Sequence, residues 1–158
     1  AMEWNLRALD YAEKSQQPAA RKWLGSLYNN IGWTYHDLGR FDAALDMFQR
    51  ALAFRQSLDD AGKIDNLRIA KWCVARCLRS LNRLDEALAV QRALHAEFTA
   101  AGATDGYVLE ELGECLLALG QGADARPFFK QAHQALSQDA YLAEHEAARL
   151  ERLKQFGS

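Results

Sequence analysis

The sequence predicts an all-α protein, built as a solenoid of repeated helix hairpins, and three observations support this. Along most of the chain apolar residues recur at steps of three and four, which places them on one face of a helix. The chain is rich in Ala, Leu, Glu, Arg and Gln and has two prolines, which favours helix. A column of small residues (Ala1, Ala44, Ala87 and Ala125) recurs at spacings of 43, 43 and 38 residues. Because one hairpin cannot bury its own apolar face, such hairpins must stack on their neighbours.

The clearest hairpin lies between residues 28 and 52, and its two helical patterns are divided by Leu38-Gly39-Arg40. The first pattern contains Tyr28, Ile31, Gly32, Tyr35 and Leu38, and the second contains Ala44, Leu45, Phe48, Ala51 and Leu52. We expect the small residues to let the two helices approach closely, with Tyr35 and Phe48 filling the space between them. A second copy of these columns holds Leu112-Gly113, Leu116, Leu119-Gly120, Ala125, Phe129 and Ala132. A looser copy holds Val74-Ala75, Leu78, Leu81-Asn82, Ala87, Gln91 and Leu94.

The breaks between these patterns predict one domain, residues 1–158, with about eight helices. Pro18 suits a first helical turn, Asp59-Asp60-Ala61-Gly62 and residues 101–106 read as turns, and Asp139 can cap a last helix. The predicted parts are a half-repeat helix (1–17), repeat 1 (18–60), repeat 2 (61–102), repeat 3 (103–138) and a capping helix (139–158). The last helix has a largely polar surface, as the end of a solenoid requires.

The pattern Tyr28-x-x-Ile31-Gly32-x-x-Tyr35 followed by Ala44-x-x-x-Phe48 resembles the tetratricopeptide repeat. Leu109-x-x-Leu112-Gly113 with Ala125-x-x-x-Phe129 is a second match. The long repeats and the Asn29-Asn30 pair look more like the repeats of kinesin light chains. The resemblance implies a right-handed α-α superhelix that acts as a non-enzymatic scaffold for protein binding.

Composition and charge narrow the classes of partner. A net charge of −2 gives no reason to expect nucleic acid, which requires a basic face. No stretch approaches the roughly 20 apolar residues of a membrane-spanning helix, and the chain does not begin with a signal-peptide pattern. Three cysteines with no evident pairing favour a reducing compartment, so we expect a cytoplasmic protein.

In such a solenoid the first helix of each hairpin lines the concave face, and the stripe beside its core residues is the candidate peptide-binding groove. That stripe contains Asn29, Asn30, Trp33, His36, Asp37, Trp72, Arg76, Arg79, Tyr107, Glu110 and Glu114. Large aromatic residues beside Arg and Asn are typical of interface hot spots. Two alternatives stay open at this point. Trp33 and Trp72 can instead tuck against neighbouring helices, and the arginines can pair with Glu110, Glu111 or Glu114 across adjacent helices.

Catalytic and metal sites find little support in the sequence. Gly120-Gln121-Gly122-Ala123-Asp124-Ala125 fits a dinucleotide-binding pattern, but a Leu-rich helix rather than a strand precedes it. Cys73 and Cys77 lack a second pair of metal ligands, and the four histidines are scattered. We therefore predict no enzyme, no cofactor and no metal, and a protein or peptide as the partner. The alternative is a ligand-sensing or oligomerising regulatory module of a larger protein, with a homo-oligomer formed through the terminal helices.

Overall fold

The computed structural model describes residues 1–158, which form ten α-helices and no β-strand. The helices are α1 (Met2–Lys14), α2 (Pro18–Arg21), α3 (Leu24–Asp37), α4 (Phe41–Ser57), α5 (Lys63–Ser80), α6 (Leu84–Ala100), α7 (Gly106–Ala118), α8 (Gly122–Leu136), α9 (Ala140–His145) and α10 (Ala147–Phe156). The predicted all-α class is confirmed. None of these helices combines the length and the apolar character needed to cross a bilayer.

The turn inside each predicted hairpin has the same backbone conformation in all three copies. Gly39, Asn82 and Gly120 have φ values of 72°, 59° and 77°, in the left-handed region. Glycine enters this region without steric cost, and Asn is one of the few other residues that tolerate it. The Gly39 amide donates to the His36 carbonyl, and the next amide reaches back to Tyr35. The column that the sequence aligned is therefore the helix-ending turn of each hairpin.

The chain divides into two units, residues 1–81 and residues 82–158, with the border in the turn between α5 and α6. In unit 1, α1 packs on α3, α3 on α4, and α4 on α5. In unit 2, α6 packs on α7, α7 on α8, and α8 on α10. Within each unit the helices thus pack on their neighbours in the chain. The predicted single domain of residues 1–158 stays a prediction.

The hairpin of each unit is closed by a glycine that faces a phenylalanine. A Cβ atom added at Gly32 of α3 would lie 2.6 Å from the Phe48 ring, and one added at Gly113 of α7 would lie 3.0 Å from the Phe129 ring. Phe48 and Phe129 are fully buried. Because the glycines have no side chain, α3 and α4, and likewise α7 and α8, approach closely enough to bury these rings. The looser middle copy has Gln91 in this column, fully buried, and neither of its amide atoms makes a hydrogen bond.

The prediction of about eight helices is corrected to ten, because two predicted helices are each broken once. Near Lys22 the chain tightens, since the Trp23 amide donates to the carbonyl of Ala20, three residues back, and α3 begins only at Leu24. Glu146 has φ −128° and ψ 40°, which ends α9 and starts α10 in a new direction. No Gly or Pro stands at either break, and the apolar periodicity continues across both, so the sequence predicted one continuous helix in each place.

Candidate functional site

The candidate surface in unit 1, the α3–α5 face, is centred on the ring of Trp33. This ring lies edge-on to Phe48 with centroids 4.8 Å apart, and it also contacts His36 at 5.2 Å and Trp72 at 6.1 Å. Trp33 and Trp72 are both half-buried. The tryptophans thus combine the two positions considered for them, groove-facing and tucked against a helix, because each packs against neighbouring helices and stays partly exposed. The ring of Trp33 is held in place from three sides.

Below the rings, α3 and α5 are joined by contacts between uncharged groups. The Cys73 thiol donates to Asn29 Oδ1 at 3.5 Å, and His36 Nε2 lies 2.8 Å from Ser80 Oγ. The Ser80 hydroxyl also accepts a hydrogen bond from Arg76 Nη1 at 2.7 Å. We call the Cys73–Asn29 and His36–Ser80 contacts the α3–α5 seam. It uses Asn29 and His36, two of the predicted groove residues, to hold one first helix against the next.

Burial in and beside the α3–α5 seam shifts the pKa values of one histidine and two cysteines in the direction that favours their neutral forms. Burial and the nearby Arg76 guanidinium lower the pKa of His36. Burial raises the pKa of Cys73 to about 12 and that of Cys77 to about 11. At neutral pH the ring is therefore an uncharged imidazole and both thiols keep their protons, so neither thiol is a nucleophile.

Polar groups that face solvent lie on both sides of Trp33. Asn30 and Asp37 are exposed, and the side-chain amide of Asn30 makes no hydrogen bond within the protein. Arg76 and Arg79 are half-buried on α5. Asn30 and Trp33 are three residues apart and therefore share one side of α3. The α3–α5 face thus presents an available amide beside a fixed aromatic edge.

The predicted groove residues of unit 2 are instead engaged by the last helix. Arg149 of α10 donates from Nε and Nη2 to the two carboxylate oxygens of Glu110, at 2.8 and 2.5 Å. Arg152 holds Glu114 in the same two-pronged way, at 2.8 and 3.0 Å. The Arg149 guanidinium also lies 5.3 Å from the centre of the Tyr107 ring. We call this set the α7–α10 seam, and it contains Tyr107, Glu110 and Glu114.

Glu110 is unusually buried for a carboxylate, with 8% of its surface exposed. Arg149 compensates its charge and is itself bound a third time, since Nη1 donates to Glu146 at 2.8 Å. These hydrogen bonds, with Glu110 contributing most, raise the pKa of Arg149 above its ordinary value. The Arg149 guanidinium therefore stays charged and offsets the negative charge of the buried Glu110 carboxylate.

The sequence did not single out Ser80, Arg149 and Arg152 as partners of the groove residues. A signal for the arginines exists, because they are three apart on one helix and Glu110 and Glu114 are four apart on another, so each pair lies on one helix face. For Ser80 the signal is weaker, since only its position four residues after Arg76 is visible. No three His, Cys, Asp or Glu side chains lie close enough together to hold a metal ion.

Residues 24–58, which contain α3 and α4, match the family model of the tetratricopeptide repeat. No curated protein matches the chain. The matched stretch is the hairpin that carries Trp33 and its supports Gly32 and Phe48.

Proposed function

We propose that the chain is a non-enzymatic module that binds an extended segment of a partner protein on the α3–α5 face. Residues 24–58 match the tetratricopeptide repeat, a unit that in general mediates protein–protein interaction. The observation that carries this proposal is the fixed, half-buried Trp33 ring beside the exposed Asn30 amide. The proposed site also includes Asp37, Trp72 and the half-buried Arg76 and Arg79.

The Trp33 ring supplies apolar area at a low entropic cost. Its orientation is already set by Phe48, His36 and Trp72, so a partner side chain that stacks on it has no mobile group to order. Rigid aromatic anchors of this kind dominate the energetics of many interfaces. We therefore expect an apolar or aromatic side chain of the partner to lie against Trp33.

The Asn30 amide can add directional hydrogen bonds to the backbone of the bound segment. It carries both a donor and an acceptor, and can bind the C=O and N–H of one residue of an extended chain. Arg76 and Arg79 add positive charge on the α5 side, whereas Asp37 adds negative charge on the α3 side. A segment with an apolar anchor, an accessible backbone and charges of both signs fits this distribution. The proposed site does not extend to Tyr107, Glu110 and Glu114, because those side chains form the α7–α10 seam.

A peptide selection tests the proposal. Random peptides displayed on phage are selected on the immobilised chain, and the best peptide is labelled for fluorescence anisotropy. We expect Trp33→Ala to weaken its affinity by at least about tenfold. Asn30→Ala should weaken it by about threefold to tenfold, the range of one hydrogen bond.

Tyr141→Ala is the matched control, because this tyrosine is also an exposed aromatic but lies on α9 in unit 2. Circular dichroism must show that all variants are equally helical. Asn30→Ala guards against a folding artefact, since the amide is exposed and packs in no core. Peptides that bind all variants equally would place the interaction surface elsewhere and contradict the proposal.

A further inference from the structure

An exposed isoleucine extends the apolar part of the α3–α5 face beyond the two tryptophans. Ile69 of α5 is 58% exposed and lies one helical turn before Trp72. It also stands four residues before Cys73, which contacts Asn29, so it lies near the side of α5 that meets α3. Trp33 and Ile69 are thus two apolar groups of one face that solvent reaches.

The α3–α5 seam fixes how far apart these two groups lie. Its two contacts each join residues that are 44 apart in the chain. The two helices therefore run parallel with one constant offset, which puts Cys77 of α5 level with Trp33 of α3. Ile69 precedes Cys77 by eight residues. At about 1.5 Å per residue, Ile69 lies about 12 Å from the level of Trp33 along the helix axis.

This distance suits an extended chain that is anchored by two side chains four residues apart. A β-strand rises about 3.3 Å per residue, so four residues span about 13 Å. The even spacing also puts both side chains on the same side of the strand. A helical segment would cover the same distance in about eight residues. The two forms of occupant therefore predict different spacings of the apolar residues.

The side-chain amide of Asn30 favours the extended form. By the offset of the seam, Asn30 is level with Val74, between Ile69 and the level of Trp33. The amide is exposed and makes no hydrogen bond within the protein. An extended segment offers it backbone N–H and C=O groups, whereas a helix uses most of these groups internally.

The stretch between the two anchors suits uncharged residues of the partner. Residues 24–35 of α3 contain no charged side chain. On α5 the one charged residue between Ile69 and Arg76 is Lys71, and it stands about 200° around the helix from Ile69. A charged side chain held between the anchors would lose hydration without gaining an ion pair on this stretch.

We propose that the segment bound on the α3–α5 face carries two apolar side chains four residues apart, one on Trp33 and the other on Ile69, with uncharged residues between them. Ile69 then selects among segments that Trp33 alone would accept. This inference rests on the proposed function, because it concerns the same face and the same occupant.

Parallel selections of random peptides displayed on phage test the spacing. The parent chain should enrich peptides with apolar residues at positions i and i+4. Ile69→Lys should enrich peptides in which one of these two positions is acidic, because the new ammonium group attracts a carboxylate. Ile64→Lys is the matched control, since Ile64 is 66% exposed on the same helix but stands about 140° around it from Ile69. It should keep the apolar pair.

Affinities measured by fluorescence anisotropy give the size of the effect. For the best peptide selected on the parent chain, Ile69→Ala should weaken the affinity by about fivefold to tenfold, because part of the isoleucine side chain is no longer there to be buried. Ile64→Ala should leave the affinity within about twofold. Both isoleucines are exposed, so circular dichroism should show unchanged helix content.

Three outcomes would overturn the inference. Peptides that depend on Trp33 but bind Ile69→Ala as tightly as the parent chain would remove the second anchor and leave the proposed function standing. Apolar pairs that are seven or eight residues apart would make the occupant a helix. Peptides that bind Trp33→Ala and Ile69→Ala as tightly as the parent chain would contradict the proposed function as well.

Discussion

The α3–α5 seam of unit 1 and the α7–α10 seam of unit 2 join equivalent helices, the first through uncharged groups and the second through ion pairs. In unit 1 the contacts are between a thiol and an amide and between an imidazole and a hydroxyl. In unit 2 they are two arginine–carboxylate pairs, each with two hydrogen bonds. The partners are 44 residues apart in unit 1 and 38 or 39 apart in unit 2, close to one repeat length.

The difference shows that one helix arrangement can be held with very different consequences for its surface. The uncharged seam leaves Asn30 and Asp37 facing solvent beside a fixed ring, so this face keeps groups that can bind a partner. The ionic seam engages Glu110 and Glu114 within the chain. It also makes the fold depend on each charge, because an unpaired buried carboxylate is costly.

Removing one charge should therefore have the largest effect. Arg149→Ala leaves Glu110 buried without its partner, and we expect the free energy of unfolding to fall by about 3 kcal/mol. Asn29→Ala in the uncharged seam should cost about 1 kcal/mol or less, since its weak thiol contact is the only one lost. Urea unfolding followed by circular dichroism measures both.

Glu110→Gln in the Arg149→Ala background is the control. The neutral amide should restore part of the loss, because the charge that made the single variant unstable is gone. Equal losses in Arg149→Ala and Asn29→Ala would show that the two seams do not differ in the way their chemistry indicates.

The glycines that close the two hairpins should differ by a smaller amount. Gly32→Ala places a methyl group 2.6 Å from the Phe48 ring, and the strain should exceed the gain in helix propensity by about 2 kcal/mol. Gly113→Ala meets Phe129 at 3.0 Å, so its net cost should be below about 1 kcal/mol. Thermal unfolding of the two variants measures the order.

Phe48→Leu in the Gly32→Ala background provides a check, because a smaller side chain relieves the clash. If Gly32→Ala proved as stable as the parent chain, the packing of α3 on α4 would be looser than the structure shows.

The smallest effect should appear on acidification. The lowered pKa of His36 means that below about pH 6.5 the unfolded chain binds a proton that the folded chain does not. Stability should therefore decline as the pH falls from about 6.5 through the folded-state pKa of His36. His36→Gln keeps a hydrogen-bonding group without a titrating ring and should reduce this decline. An identical decline in both chains, measured by urea midpoints, would assign it to other groups.

Local spacing was enough to predict the hairpins. Gly32 and Phe48, or Gly39 at the turn, act within one helix pair, and their roles follow from steric size and periodicity alone. The matched stretch, residues 24–58, is the one in which those columns are fullest. The similarity to kinesin light chains in particular stays a prediction.

The partners of the site residues could not be predicted in the same way. The sequence placed Glu110 and Glu114 on one stripe, but which arginine reaches them depends on how a helix 39 residues later is oriented. The break at Glu146 sets that orientation, and no turn residue marks it. Asn29 likewise was placed correctly on α3, while its turn toward Cys73 is decided by packing between helices.

Because the three cysteines are buried in the folded chain, their oxidation can report local unfolding. Peroxide and alkylating reagents attack thiolates, and burial holds Cys73 and Cys77 in unit 1, and Cys115 in unit 2, away from solvent. A chain that stays closed should remain reduced under oxidative stress. A unit that opens, even briefly, exposes its thiols and acquires a lasting mark, so the oxidised position identifies which half of the chain opened.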